Sequence, residues 1–120
     1  MALRAIRGAV QLDVDEREHL LDSTRELVSA VMSANDLTPD DLVSIVFTST
    51  PDLTSEFPAV AAREVGLGSV PLLCAVEIDV PSAMPRVVRL LAHAETDRAR
   101  EDVQHVYLRG AVALRRDIAQ

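Results

Sequence analysis

Several residue types are scarce or missing in this sequence of 120 residues, and their absence narrows its possible functions. Lysine and tryptophan are absent, and the only aromatic residues are Phe47, Phe57 and Tyr107. So few aromatic rings exclude a platform on which nucleic-acid bases stack. The single cysteine, Cys74, cannot form an intramolecular disulfide, which indicates a reducing compartment such as the cytoplasm.

Long apolar runs are also missing. No segment approaches the roughly 20 apolar residues of a membrane-spanning helix, and the first residues lack the apolar core of a signal peptide. Twelve basic residues stand against nineteen acidic ones, which gives a formal net charge of −7. A net acidic surface repels phosphate backbones, so we expect no nucleic-acid partner and no membrane partner. The length predicts a single domain over residues 1–120. The single cysteine and the missing apolar runs indicate that this domain is cytoplasmic.

Strand and helix patterns alternate along the chain. Residues 3–12, 43–50, 70–78 and 103–108 have the composition of strands. An amphipathic helix is predicted from a capping-box-like start at Asp15 to about Ala34, with shorter helices at 38–41 and 58–65. A second main helix is predicted over 84–93, because apolar residues recur there at helical spacing. This alternation predicts the α/β or α+β class, with a mixed sheet packed with helices.

The residue patterns of common catalytic and metal sites are not found in the sequence. The three histidines, at 19, 93 and 105, fall in separate predicted elements without metal-ligand spacing. The four glycines form no phosphate-binding loop. A lone cysteine in a strand, as at Cys74, is typical of packing. The only carboxylate pair that suits acid–base catalysis is Glu77 and Asp79, which share one face of a predicted strand but lie close to its turn. We therefore expect no metal and no cofactor.

Arginine supplies every basic side chain. Its planar guanidinium binds a carboxylate through two parallel hydrogen bonds, which lysine does not do, although codon bias also explains the missing lysines. Arg7 and Glu77 fall in otherwise apolar segments, where an unpaired charge is costly. Such charges either form structural ion pairs or line a pocket for an anionic molecule. The candidates are Arg7, Arg63, Arg89 and Arg115 with Cys74, Glu77 and Tyr107.

Five segments carry a more specific pattern. They are IRGAV at 6–10, TSTPDLTSEFPAVAARE at 48–64, VPLLCAVEIDV at 70–80, RVVRLL at 86–91 and HVYLRGAVALR at 105–115. The most specific parts are C-x-x-E-x-D, formed by Cys74, Glu77 and Asp79, and HVYL with the downstream LR. In their order and spacing these segments resemble the monofunctional chorismate mutases of the trimeric pseudo-α/β-barrel class, over almost the whole chain.

The resemblance implies a homotrimer whose sheets pack into a barrel-like core, with active sites between neighbouring subunits. It implies conversion of chorismate to prephenate on the route to phenylalanine and tyrosine, an isomerase reaction. This pericyclic step needs a folded substrate and stabilised charge on the breaking ether oxygen. It needs no nucleophile, metal or cofactor, which agrees with the missing catalytic patterns.

The resemblance also implies roles for single residues. Arg7 binds a substrate carboxylate with the help of Tyr107, and Arg89 donates to the ether oxygen. Glu77 accepts a hydrogen bond from the ring hydroxyl, beside Cys74. Further substrate-binding residues implied by the resemblance are Phe57, Ala59, Leu73 and Leu114 in the pocket, with Arg63 and Arg115 at its mouth.

Three departures from the family pattern affect the pocket. Val60 and Leu73 stand where the family can have lysine and threonine, and the segment after Arg116 is short, so we expect a minimal closing tail. Two other functions stay open on the residues alone. One is a small trimeric deaminase or ligand-binding protein, and the other is a non-catalytic module whose arginines form ion pairs between subunits. Formation of prephenate from chorismate distinguishes the mutase from both alternatives, and the non-catalytic module would show no saturable binding of chorismate.

Overall fold

The structure, a computed structural model, describes residues 1–114, and five strands in that range form one mixed sheet. These strands are β1 (Ala2–Gln11), β2 (Leu42–Ser49), β3 (Leu72–Val76), β4 (Val87–Thr96) and β5 (Val106–Leu108). Their order across the sheet is β3-β2-β4-β1-β5. Strand β4 runs antiparallel to β1 and β2, whereas β1–β5 and β2–β3 are parallel pairs. The predicted class, a mixed sheet packed with helices, is confirmed.

Two helices, α1 (Arg17–Ala34) and α2 (Pro58–Ala62), cover one face of the sheet, which we call the helix-side face. Short 3-10 turns occupy Pro39–Asp41 and Arg100–Asp102. After α2 the chain continues as a wider helical turn over Arg63–Leu67, which ends where Gly66 adopts φ +96°. The predicted helix at 58–65 is therefore present as two shorter pieces.

The helix α1 starts one residue later than the sequence predicts. The carboxylate of Glu16 caps it by accepting the N–H groups of Glu18 and His19, which stabilises the free donors of the first turn. Asp15 instead accepts the N–H and hydroxyl of Thr54. Asp15 therefore ties the loop after β2 to the beginning of α1.

The sequence predicts a helix over 84–93, and this prediction is wrong, because Val87–Thr96 is the central strand β4. Buried positions alternate along it with positions on the other face, as a strand requires. The buried residues on the helix-side face are Val88, Leu90, Ala92 and Ala94. Arg89 consequently lies on a rigid strand between β1 and β2, and not on a helix surface.

The hydrophobic core fills the space between the helix-side face and the helices. Its largest fully buried side chains include Phe47, Ile6, Leu12, Leu20, Leu21, Leu27 and Leu67. The opposite face, which we call the open face, has neither α1 nor α2 packed on it; among the described residues a short 3-10 segment, Arg109–Leu114, covers its edge near Ala9 and Tyr107. Several of its side chains are apolar and well exposed, including Leu73 at 62%.

Candidate active site

Strand register gathers the predicted site residues on the open face. One row of paired residues crosses the sheet in the order Ala75, Thr48, Arg89, Ala9 and Tyr107. The next row on the same face consists of Leu73, Val46, Leu91 and Arg7. Because these rows are adjacent, Arg7, Arg89 and Tyr107 meet on one patch although 100 residues of sequence separate the first from the last.

The guanidinium of Arg89 is oriented by a carboxylate. Its Nε lies 3.1 Å from Oε2 and 3.3 Å from Oε1 of Glu77. The hydroxyl of Thr48 donates to Oε2 of Glu77 at 2.7 Å, and the backbone N–H of Glu77 donates to the carbonyl of Ser49 at 2.9 Å. Within residues 1–114 these contacts use only Nε of Arg89, so both terminal nitrogens remain available to a ligand.

A cavity of about 300 Å³ opens beside this group. Arg7, Arg89 and Tyr107 line it together with apolar Ala9, Val46 and Leu91. Arg7 forms no ion pair with a carboxylate of the described residues, and its backbone N–H donates to Nδ1 of His105 at 3.0 Å. Two guanidinium groups and a phenol among apolar walls suit a small molecule that carries negative charge. We call Arg7, Glu77, Arg89 and Tyr107 the arginine half-site.

A second cavity, of about 360 Å³, lies around the loop between β2 and α2. Phe57, Pro58 and Cys74 line it, and Phe57 is 66% exposed. Cys74 pairs with buried Phe47 and packs towards the core, whereas Arg89 projects from the open face. We call Phe57 and Cys74 the phenylalanine half-site. A single chain therefore holds the predicted site residues in two separate groups.

Glu56 fixes the backbone at the entrance to the phenylalanine half-site. Its Oε1 accepts the N–H of Phe57 at 2.9 Å, and its Oε2 accepts from Nε of Arg17 at 2.9 Å. The hydrogen bond from Phe57 and the one from Arg17 lower the pKa of Glu56, and the charge of Arg63 adds to the effect. Glu56 therefore stays ionised and links the beginning of α1 to the beginning of α2.

The other predicted substrate-binding residues occupy varied positions. Ala59 is a residue of α2 that is buried in the core, whereas Arg63 is exposed at the end of that helix. Leu73 is exposed on the open face, and Leu114 packs against the cluster around Tyr107. Arg115 lies outside the described residues. Contact of these residues with substrate stays a prediction.

Nearly the whole sequence matches the family model described as chorismate mutase type I, over residues 3–118. This chain belongs to the type I chorismate mutase family. Chorismate mutase AroH of Thermus thermophilus is 47% identical over 117 residues, which cover 97% of this chain and 96% of the relative. Chorismate mutase AroH of Bacillus subtilis is 36% identical over 120 residues, which cover 99% and 94%.

A solved structure agrees with the family assignment. The chorismate mutase from Clostridium thermocellum superimposes with a TM-score of 0.89 at 40% identity, covering 91% of this chain and 97% of that one. The resemblance described from the sequence segments is thus confirmed, and with it the chorismate mutase activity and the isomerase class.

Thr48 is a site residue that sequence reasoning missed in this chorismate mutase. It faces Arg89 across the β2–β4 pairing and holds the carboxylate that orients Arg89. A signal was present, because alternation in VSIVFTST places Thr48 on the face opposite to apolar Phe47. A hydroxyl at the open-face position of a central strand indicates a polar partner there.

Residues 1–114 contain neither a metal-ion cluster nor a membrane-spanning helix. No three His, Cys, Asp or Glu side chains of that range lie close enough together to hold a metal ion. No helix of that range is sufficiently long and apolar to cross a bilayer. Of the three histidines, His19 is on α1, His93 is on β4 and His105 precedes β5.

Proposed function

We propose that this protein converts chorismate to prephenate in a pocket that two neighbouring subunits of a homotrimer form together. The observation that carries the proposal is the convergence of Arg7, Arg89 and Tyr107 on one cavity, with Arg89 oriented by Glu77. Chorismate has two carboxylates and a ring hydroxyl, and its rearrangement is unimolecular. The reaction therefore asks the protein for binding, folding and charge stabilisation.

Arg7 binds one substrate carboxylate, and Tyr107 adds a hydrogen bond to it. Both residues line the same cavity, and Arg7 has its guanidinium free of carboxylate partners among the described residues. Fixing this carboxylate folds the side chain of chorismate over the ring. This restriction removes rotational freedom before the reaction begins. The loss of that freedom is otherwise a large part of the barrier to an ordered transition state.

Arg89 stabilises the charge that grows on the ether oxygen. In this step the ether C–O bond breaks while a C–C bond forms between the side chain and the ring, and no proton moves. The terminal nitrogens of Arg89 donate to the ether oxygen, and this interaction strengthens as the bond breaks. Glu77 binds Nε of Arg89 and also accepts a hydrogen bond from the ring hydroxyl. It can do both because a carboxylate has about four acceptor positions.

The second half of the pocket comes from a neighbouring copy of the chain. Phe57 and Cys74 line a separate cavity in one subunit, and in the described residues the open face away from the Arg109–Leu114 segment is exposed and partly apolar. Packing the open face against a neighbour covers it and brings the two half-sites together. Further contacts in this assembled pocket are Ala59, Arg63, Leu73, Leu114 and Arg115, and the reaction belongs to the cytoplasm.

The decisive experiment adds chorismate to the purified protein and follows the loss of its diene absorbance. We expect saturable conversion, with prephenate identified by NMR. A deaminase or ligand-binding protein of similar topology would form no prephenate. A non-catalytic module with arginines in ion pairs between subunits would not bind chorismate at all. Either result would refute the proposal.

A further inference from the structure

The chain leaves the arginine half-site through a short 3-10 helical segment, Arg109–Leu114, which we call the C-terminal turn. Its Ala111 is fully buried with Ala9 and Tyr107, and Leu114 packs on the same cluster. The C-terminal turn is thus part of the wall behind Tyr107. Its position therefore determines where Leu114 lies relative to Tyr107.

The side chain of Arg109, the first residue of the C-terminal turn, binds two residues of α1. Its Nη1 donates to the hydroxyl oxygen of Ser23 at 2.8 Å, and its Nη2 donates to Oε2 of Glu26 at 2.9 Å. Ser23 is fully buried, and the Arg109 side chain is 34% exposed. Because one partner is a fixed buried hydroxyl and the other a carboxylate on the same helix, the contact restricts the guanidinium more than a surface ion pair does.

The backbone at Arg109 and Gly110 indicates that the C-terminal turn is held in one place. Arg109 has φ +56°, a left-handed conformation that non-glycine residues adopt at an energetic cost. At Gly110, a Cβ would lie 1.8 Å from Oε1 of Gln11, so a larger residue there would displace the end of that side chain on β1. Gln11 is itself held, because its Nε2 donates to the carbonyl of Pro85 at 3.1 Å. The C-terminal turn is therefore held against both α1 and β1 at its first two residues.

We propose that Arg109 is a positioning residue for substrate binding. Its contacts with Ser23 and Glu26 hold the C-terminal turn against Tyr107, so that Leu114 keeps its place in the wall of the pocket. Arg109 does not touch the substrate. The inference rests on the proposed function, because it assigns a role within that same pocket.

The expected effect falls on KM and not on kcat. Arg89 lies on strand β4 and Glu77 is held by Thr48 on β2, so the groups that act on the breaking bond do not depend on the C-terminal turn. A residue that helps to bind substrate and transition state equally changes KM alone. A loosened turn lowers the fraction of protein in the binding-competent arrangement, which weakens apparent affinity in proportion.

The test uses charge reversal and rescue. We expect Arg109→Glu to raise KM for chorismate about fivefold or more while kcat stays within about twofold. Arg109→Ala is a milder second variant that should move KM in the same direction. Combining Arg109→Glu with Glu26→Arg recreates the ion pair with opposite orientation, and the Ser23 hydroxyl can donate to the new carboxylate. This double variant should return KM towards the wild-type value.

Arg98→Ala is the matched control. It removes a contact of the same kind near the other end of α1, where Arg98 bonds Asp36 at 2.6 Å and the carbonyl of Ala34 at 2.9 Å. We expect a lower melting temperature with an unchanged KM. The inference is overturned if Arg109→Glu leaves KM within twofold of wild type, if Arg98→Ala raises KM equally, or if the double variant regains thermal stability without regaining KM. A wild-type protein that makes no prephenate refutes the proposed function itself.

Discussion

At the scale of single residues, the sequence leaves two interpretations of Arg89 as alternatives. Pairing with Glu77 is a structural interpretation, and donation to a substrate is a functional one. In the structure the pairing involves Nε and leaves the terminal nitrogens available in the described residues, so the two are compatible. The carboxylate fixes the direction of the guanidinium, which is what a preorganised donor requires.

Arg89→Ala should lower kcat by about 10²–10³, because one preorganised donor to the developing oxyanion is lost. Arg89→Lys should also be impaired, since an ammonium keeps the charge without the planar fork that Glu77 orients. The side chain is 40% exposed, so the melting temperature should stay near that of the wild type. Steady-state kinetics and thermal melting test this together. A fall of less than about tenfold, or loss of activity through unfolding, would show that Arg89 is not the catalytic donor.

Thr48 provides a second test on the same network. Thr48→Val keeps the shape of the side chain but removes the hydroxyl that donates to Glu77 at 2.7 Å. We expect kcat to fall about tenfold or more, because a hydrogen bond to a charged group contributes roughly 1.5–3 kcal/mol. Thr48→Ser keeps the hydroxyl and should retain most of the activity. Equal kcat values for the Val and Ser variants would show that the hydroxyl does not hold Glu77 in place.

At the scale of elements, α1 and the strands β1 and β2 could be predicted from the sequence because each has one consistent periodicity. Strand β4 could not, since apolar residues at 84, 87, 88 and 91 fit a helix while those at 88, 90, 92 and 94 fit a strand. Whether this segment forms a strand or a helix depends on β1 and β2, which are remote in sequence and pair with it. The β-branched pair Val87 and Val88 favoured the strand.

Two glycines test how tightly the sheet packs on α1. In Gly8→Ala the new Cβ would lie 3.2 Å from Leu27, Val31 and Leu90, so we expect a loss of about 1–3 kcal/mol in unfolding free energy. Gly68 is the matched control, because it has φ −63° and open space around it. Gly68→Ala should stabilise by about 0.4–1 kcal/mol through the unfolded state. Urea unfolding measures both, and effects of the same sign would contradict the packing argument.

At the scale of the whole molecule, the roles of the site residues came from the family resemblance, but their arrangement in space did not. The network of Arg89, Glu77 and Thr48 depends on strand register, which places Thr48 opposite Arg89. A pattern of single residues along the chain contains no information about such pairings. The separation of Phe57 and Cys74 from the arginine half-site likewise becomes visible only when the sheet has two distinct faces.

The separation of the two half-sites within one chain leads to a test of the assembly. A trimer of 13.0 kDa chains has a mass of about 39 kDa, which light scattering behind size exclusion would detect. Arg89→Ala disables the arginine half-site, and Phe57→Glu places an acid beside a dianionic substrate in the other. Each variant alone should have little activity, while Phe57 is exposed enough for the change to leave the fold intact.

Co-expressed in equal amounts, the two variants should recover about a quarter of wild-type activity. In a ring with head-to-tail sites, a pocket is intact when an intact arginine half-site meets an intact phenylalanine half-site, and each occurs with a probability of about one half. Co-expression of Arg89→Ala with Arg89→Lys is the control, because no mixture of these chains rebuilds the arginine half-site. Sites contained within one chain would give no recovery in either mixture. That result, or a fully active monomer, would contradict a pocket shared between subunits.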